Sequence, residues 1–453
     1  MLQRRISSLQ KAPHSLLHLR SKIERFLHGD SFISQFVRGV SWSLVGAVVS
    51  RGLTLGATIL AARMLGITSY GELGMIQATV LVFAASGLSV SLTKQVAELR
   101  NVDLARTEKQ IGAGLSIATL FGIASGIFLF VLSDTIASRA LHAPDLAQGI
   151  RIGAVLTTLT VIGGAQIGIL IGLQEFRAVA LLQAVRSASI GIGLIVGSFF
   201  GTTGALVGLS GGEAISVLIS TVMLYRISNL HSISTLYGPF DWIEARQLCS
   251  FALPVFLSGM VMQPAVWFSN LFLASQPAGY SRLGIFVAAE KWRELALFVP
   301  GSISQAVLAL LSNLHGTQNT KSYADIFRLN ILVHIIVILV TAIGLAFFSR
   351  LAMAAFGTEF VEGWGTLSIL ALSAIPIVLN NVLGQVLQSA GLVWHRFFLD
   401  VLLATLYTTL AVVLIPRWFE NGLAIASLLA FAVTATVLYL RVRQVMARIH
   451  PSR

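Results

Sequence analysis

Apolar residues run through the chain in long stretches broken by short polar clusters, and this rhythm sets the elements. About 20 mostly apolar residues are needed for a helix to cross a bilayer. On that ruler, spans are expected near 39–61, 72–93, 110–132, 150–171, 179–200 and 204–226. Six more are expected near 249–273, 284–311, 329–350, 364–387, 397–416 and 421–440. Twelve spans put both termini on one side. The expected organisation is a basic segment 1–38, a first bundle 39–226, a connection 227–248, a second bundle 249–440 and a basic tail 441–453. In 1–38, Leu16, Leu19, Ile23, Phe26 and Leu27 fall at helical spacing among basic residues. That pattern reads either as an amphipathic helix on the membrane face or as a basic tail.

Composition agrees with this pattern. Hydrophobic residues make up 55% of the 453 and charged residues 11%, against about 25% charged in an ordinary soluble domain. Too little polar surface is left to solvate a globule, so an all-α integral membrane protein is expected. The excess of 31 Lys and Arg over 19 Asp and Glu would suggest nucleic acid in a soluble chain. Here 21 basic residues fall on the side of the termini and six on the other, which predicts cytoplasmic termini and needs no nucleic acid. Cys249 is the only cysteine, so neither a disulfide framework nor a Cys-based metal site is expected, and no cofactor motif appears.

The two bundles repeat. Tyr70, Leu73 and Gly74 match Tyr280, Leu283 and Gly284 at a constant offset of 210, each set at the boundary between the first two spans of its bundle. Six spans per repeat give both repeats the same orientation, with a substrate site expected between them near mid-depth. Glycines recur every fourth residue at 164, 168 and 172, at 193, 197 and 201, and at 204, 208 and 212. These read as close helix packing.

Ionisable groups within spans cost on the order of 2.5–3.5 kcal/mol at the bilayer centre and therefore seek a partner or a hydrated cavity. Arg51 lies roughly 18 Å into the first span and Arg186 about 10 Å into the fifth. Glu213 sits near the middle of the sixth, and Glu290, Lys291, Arg293 and Glu294 cluster in the eighth. Arg51, Arg186, Lys291 and Arg293 are the candidate cavity cations, and Glu213, Glu290 and Glu294 the candidate proton-coupling acids. The bland reading pairs Glu290 with Arg293 and Lys291 with Glu294, which stand one turn apart. Arg51 and Arg186 have no acid one turn away, so a partner must come from another helix, for instance Glu213. Asn380, Asn381 and Gln385 form a polar end to the tenth span, suited to sugar hydroxyls or to neighbouring helices. His334 reads as a hydrogen-bonded structural residue, and Pro254, Pro264, Pro300 and Pro376 as kinks. The outer stretch 133–149 holds Asp134, Arg139, His142 and Asp145, which form no catalytic constellation.

The stretches "LAARMLGITSYGELGMIQATVLVFAASGLSVSLTKQVAE" (60–98) and "GIFVAAEKWRELALFVPGSISQAVLALLSNL" (284–314) resemble the polysaccharide transporter family, the Wzx-type flippases of O-antigen and exopolysaccharide synthesis. The resemblance implies two six-helix lobes around a central cavity, as in the related multidrug and toxin extrusion transporters. It also implies translocation of an undecaprenyl-pyrophosphate-linked oligosaccharide from the cytoplasmic to the periplasmic leaflet of a bacterial inner membrane. Membrane lipids and the polymerase and chain-length proteins of such a pathway are the partners it implies. The acid that drug-extrusion relatives use in the first span is absent, and Arg51 is the charge there. Many relatives carry a proline near Ala309 and Leu310, which this chain lacks. A drug or cation antiporter of the same superfamily and a membrane polymerase or ligase are the rival readings.

Overall fold

The computed structural model describes residues 32–84, 87–230, 242–316, 320–389 and 393–449. Residues 1–31 and the 231–241 part of the 227–248 connection, with the readings placed on them, lie outside this set. All regular structure among the described residues is helical. In chain order the α-helices are α1 (Phe32–Ala84), α2 (Leu88–Leu99), α3 (Leu104–Thr135), α4 (Ala147–Gly172), α5 (Phe176–Ser198) and α6 (Gly201–Leu230). There follow α7 (Trp242–Ala274), α8 (Gly279–Gly316), α9 (Thr320–Phe347), α10 (Ser349–Phe356), α11 (Trp364–Ser389) and α12 (Val393–Ile449).

Two of these helices carry a pair of expected spans each. α1 turns at Gly66, whose φ of 77° a glycine adopts without strain, and α12 turns at Phe419 with φ 50°. Phe419 is held there from outside: the Arg282 guanidinium stacks 3.5 Å from its ring centroid and donates to Glu420 at 3.0 Å. The expected span 72–93 is not one helix. It breaks after Ala84, and Gly87, left-handed at φ 65°, precedes α2. By length and hydropathy alone, eight helical stretches among the described residues qualify as membrane spans, two of them doubled across these turns. Three short pieces were not foreseen: a π-turn at Ile136–Ala140, a 3₁₀ turn at Pro144–Leu146, and the pair formed by α10 with a 3₁₀ segment, Thr358–Gly363. They are too brief and too mixed in polarity to carry a period.

The packing is arranged differently at the two ends of the bundle. At the end where α1 and α12 turn, one buried core runs across both lobes. It includes Tyr70, Leu73, Ile76 and Leu206 from the first and Leu273, Leu283, Phe356 and Phe360 from the second. At the other end the buried apolar residues form two separate clusters. One is built on Leu92, Ile111, Ile169 and Leu248, the other on Ile338, Val378, Val386 and Leu438. The lobes are therefore sealed together at the turn-bearing end.

Backbone contact makes that seal. Gly71 meets the Tyr280 carbonyl and Gly284 meets the Ile67 carbonyl so closely that neither position has room for a Cβ. Arg63 Nε donates to the Ala355 carbonyl at 2.7 Å, the Ile67 amide to Glu359 at 3.3 Å, and Thr68 and Ser281 share a hydrogen bond of 2.7 Å. The repeated tyrosines reach across in both directions. Tyr70 packs its ring on Phe356 and Phe360, while Tyr280 donates its hydroxyl to the Leu141 carbonyl at 3.3 Å.

Candidate functional site: the cleft between the lobes

The cleft wall in the first lobe starts from one stripe of α1. Arg51, Thr54 and Thr58 are spaced i, i+3, i+7 and so share a face. Thr54 and Thr58 donate back to the carbonyls of Ser50 and Thr54 at 2.9 and 2.6 Å, which leaves their oxygen lone pairs outward. Opposite stands α8, antiparallel to this part of α1, where Lys291, Glu294 and Phe298 repeat the same spacing. The two stripes meet in register. Arg51 is exposed and lies 5.9 Å from the Phe298 ring centroid. One to two turns deeper, a pocket of about 110 Å³ is lined by Thr54, Thr58, Gln77 and Ser187 from the first lobe and Lys291 from the second. A side chain from each lobe thus faces a shared space that ends at the seal.

The charges in and around this space pair off, with one exception. Arg186 grips Glu213 in a fork, Nε to Oε2 at 2.9 Å and Nη2 to Oε1 at 2.7 Å. Glu213 is 1% exposed and Arg186 30%. Lys291 donates to both Glu294 oxygens at 3.0 and 3.2 Å. Arg293 donates to Glu290 at 2.6 Å and to the hydroxyls of Ser373 and Ser427 at 2.9 and 2.8 Å. Arg51 has no acidic partner among the described residues. Among the described residues, the mid-depth charge that remains after pairing is a single positive one, at the mouth of the pocket.

Several expected site residues are thus placed otherwise. Arg293 does not present a cation to the cleft: it is buried among α8, α11 and α12, where Glu290 neutralises it and two serines accept from its Nη1. Asn380 is likewise turned to its own lobe, donating to the carbonyls of Pro376 and Phe431 at 3.1 and 2.8 Å. Gln385 is buried and accepts from Asn330 at 3.4 Å. Of that polar group Asn381 is exposed. His334 is buried with its ring nitrogens 2.8 and 3.0 Å from the carbonyls of Asn330 and Pro300. In the outer stretch, Arg151 forks onto Asp134 at 2.9 and 2.7 Å. Gln77, Ser187 and Phe298 were not singled out from the sequence. Ser187 had a signal, since it follows an intramembrane arginine, and it bonds Ser50, the neighbour of Arg51.

Comparison with known proteins fits this architecture. Residues 36–315 match the family model described as polysaccharide biosynthesis protein. No curated protein matches the chain. Among solved structures, the chain is similar to a multidrug resistance MATE family transporter of the MOP superfamily in an inward-facing conformation. The TM-score is 0.76 at 16% identity, covering 89% of this chain and 98% of that one. The outward-facing conformation of such a transporter gives 0.69 at 16% identity, covering 95% and 99%. A MOP superfamily transporter from Pyrococcus furiosus, described as having a binding pocket of reverse polarity, gives 0.70 at 16%, covering 94% and 98%. These likenesses establish the fold, two six-helix lobes, and the family match covers well over half of the sequence. The chain belongs to the polysaccharide biosynthesis protein family and is a multi-pass membrane protein with the fold of those transporters.

Proposed function

We propose that this transporter carries an undecaprenyl-pyrophosphate-linked oligosaccharide from the cytoplasmic to the periplasmic leaflet of a bacterial inner membrane. Its termini are cytoplasmic on this reading, and polymerase and chain-length proteins of the pathway take up the product outside. The observation that carries the reading is Arg51, the cleft cation with no acidic partner among the described residues. A diphosphate cannot leave water without compensation, and a guanidinium offers it a full charge with paired donors. The hydroxyls of Thr54, Thr58 and Ser187 and the Gln77 amide line the pocket one to two turns deeper and suit the first sugars. The polyprenyl tail stays in the bilayer. Cargo enters where the lobes have separate cores and leaves when the seal at Gly71 and Gly284 opens.

The rival, a drug or cation antiporter, needs an acid free to meet a cation. Glu213, Glu290 and Glu294 all have basic partners. The test is leaflet exchange of a polyprenyl-diphosphate oligosaccharide in proteoliposomes. One charge-assisted hydrogen bond contributes about 1.5–3 kcal/mol, so Arg51→Gln is expected to slow exchange by on the order of 10- to 100-fold with the yield of folded protein unchanged. Exchange at the wild-type rate by that variant overturns the reading, as does wild-type transport of a cationic drug in place of the lipid.

A further inference from the structure

We infer that Glu213 is a positioning residue which neutralises Arg186 and aims its remaining donors at the cleft, so that the cavity discriminates between lipid-linked phosphates by charge. The inference rests on the proposed cargo and deepens it, since it concerns how many phosphate charges the site accepts.

The pair is set by the packing of α5 on α6. These helices touch backbone to backbone where Gly193 meets Gly208 and Gly197 meets Gly204. One turn nearer the cleft mouth, Gly212 lies against the Ser189 carbonyl and the Ile190 backbone, and Ser189 Oγ donates to the Gly212 carbonyl at 3.0 Å. With helix axes fixed this closely, the fork between Arg186 and Glu213 has little freedom to shift. The carboxylate also has a fitted socket. A Cβ on Gly163 of α4 would stand 3.3 Å from its Oε1, so the glycine leaves room for the oxygen.

A guanidinium has five N–H donors. Glu213 occupies two of them, Nε and one on Nη2. Three remain, on a side chain that keeps 30% of its surface exposed. Neighbours of the pair line the cleft. Leu209, one turn from Glu213 on the same face of α6, and Ser187, next to Arg186, both line the pocket shared with Lys291. Ser187 is bonded to Ser50, so Arg186 and Arg51 flank a single contact between α5 and α1. The result is two guanidinium groups near one site, one carrying a free charge and one carrying geometry with its charge cancelled. A phosphate can be hydrogen-bonded by both while meeting only one net positive charge. That arrangement holds a diphosphate without trapping it, and release is as necessary to a carrier as capture.

Glu213 was also a candidate for proton coupling, and the two roles separate experimentally. Reconstituted full-length protein is assayed for binding and leaflet exchange of two probes, a polyprenyl monophosphate sugar and a polyprenyl diphosphate sugar. Glu213→Gln keeps the shape and one acceptor but uncovers the Arg186 charge. It is expected to raise the diphosphate-to-monophosphate binding ratio about threefold or more, to steepen the salt dependence of diphosphate binding, and to slow diphosphate release. Arg186→Lys keeps the neutral pair but lacks the planar spare donors, and is expected to lower the same ratio. Thermal stability in detergent reports whether each variant is folded. A mere packing role changes stability or scales both probes together, and an unchanged ratio in both variants overturns the inference. Loss of proton-gradient dependence in Glu213→Gln at an unchanged ratio overturns it in favour of proton coupling. If wild-type protein moves neither probe, the proposed cargo itself fails.

Discussion

Gly284 offers a direct way to perturb the seal between the lobes. A Cβ at this position runs into the Ile67 carbonyl, a backbone atom that cannot rotate away. Gly284→Ala therefore requires α8 and the turn of α1 to separate. Overpacking of a tight interface costs typically about 1–3 kcal/mol. The cost falls on the sealed arrangement alone, because the contact disappears once the lobes part at that end. A bias of this size multiplies the unsealed-to-sealed ratio by roughly 5- to 150-fold. The measurement is a spin-label distance between cysteines placed at Val131 and Leu351, exposed residues of the two lobes near the sealed end, with Cys249 replaced by alanine. Gly284→Ala is expected to shift the distribution to longer distances. Gly344→Ala, where an added Cβ meets nothing within 4 Å, is expected to leave it unchanged. Identical distributions for Gly284→Ala and the parent would refute the claim that this backbone contact holds the lobes shut.

Two further outcomes concern residues the structure assigns to scaffolding. Arg293→Met strands the Glu290 carboxylate inside the second lobe and is expected to destabilise the protein by about 3–5 kcal/mol; thermal unfolding in detergent should show a large drop that Arg293→Met with Glu290→Gln partly restores. Asn380→Ala removes donors to two buried carbonyls and is expected to cost about 1–3 kcal/mol, whereas Asn381→Ala should leave unfolding unchanged, as read in the same assay.

The membrane class and the pairing of spans into lobes were legible because hydropathy alone carries them, and the offset of 210 between the two Tyr-x-x-Leu-Gly motifs exposed the repeat. The pairs within α8 were legible too, as i, i+3 neighbours need only helical periodicity. What Arg293 does beyond Glu290 was not, since Ser373 and Ser427 lie 80 and 134 residues away on other helices. Asn380 shows the same limit. Its spacing places it on a polar face, but whether that face meets cargo or Phe431 depends on how α11 and α12 cross. The pairing of Arg186 with Glu213 could be named as an option, because both stood mid-span without local partners. Its forked geometry follows from the glycine contacts between α5 and α6, and a four-residue spacing gives closeness without orientation.

The first turns of α7 belong to one lobe and its length to the other. Glu244, buried near its start, accepts from Arg106 at 2.7 Å and from Gln110, both on α3, and the Leu248 carbonyl accepts from Ser91 of α2 at 2.9 Å. Farther along, α7 packs against α12. A rod moored at opposite ends to two bodies has to bend when they move apart, and Pro254 and Pro264 weaken its backbone ladder between the moorings. On the proposed transport cycle, the stiffness left in that rod caps how far the lobes swing. It acts as a tether against the one excursion a flippase must never make, a gap open to both faces of the membrane together.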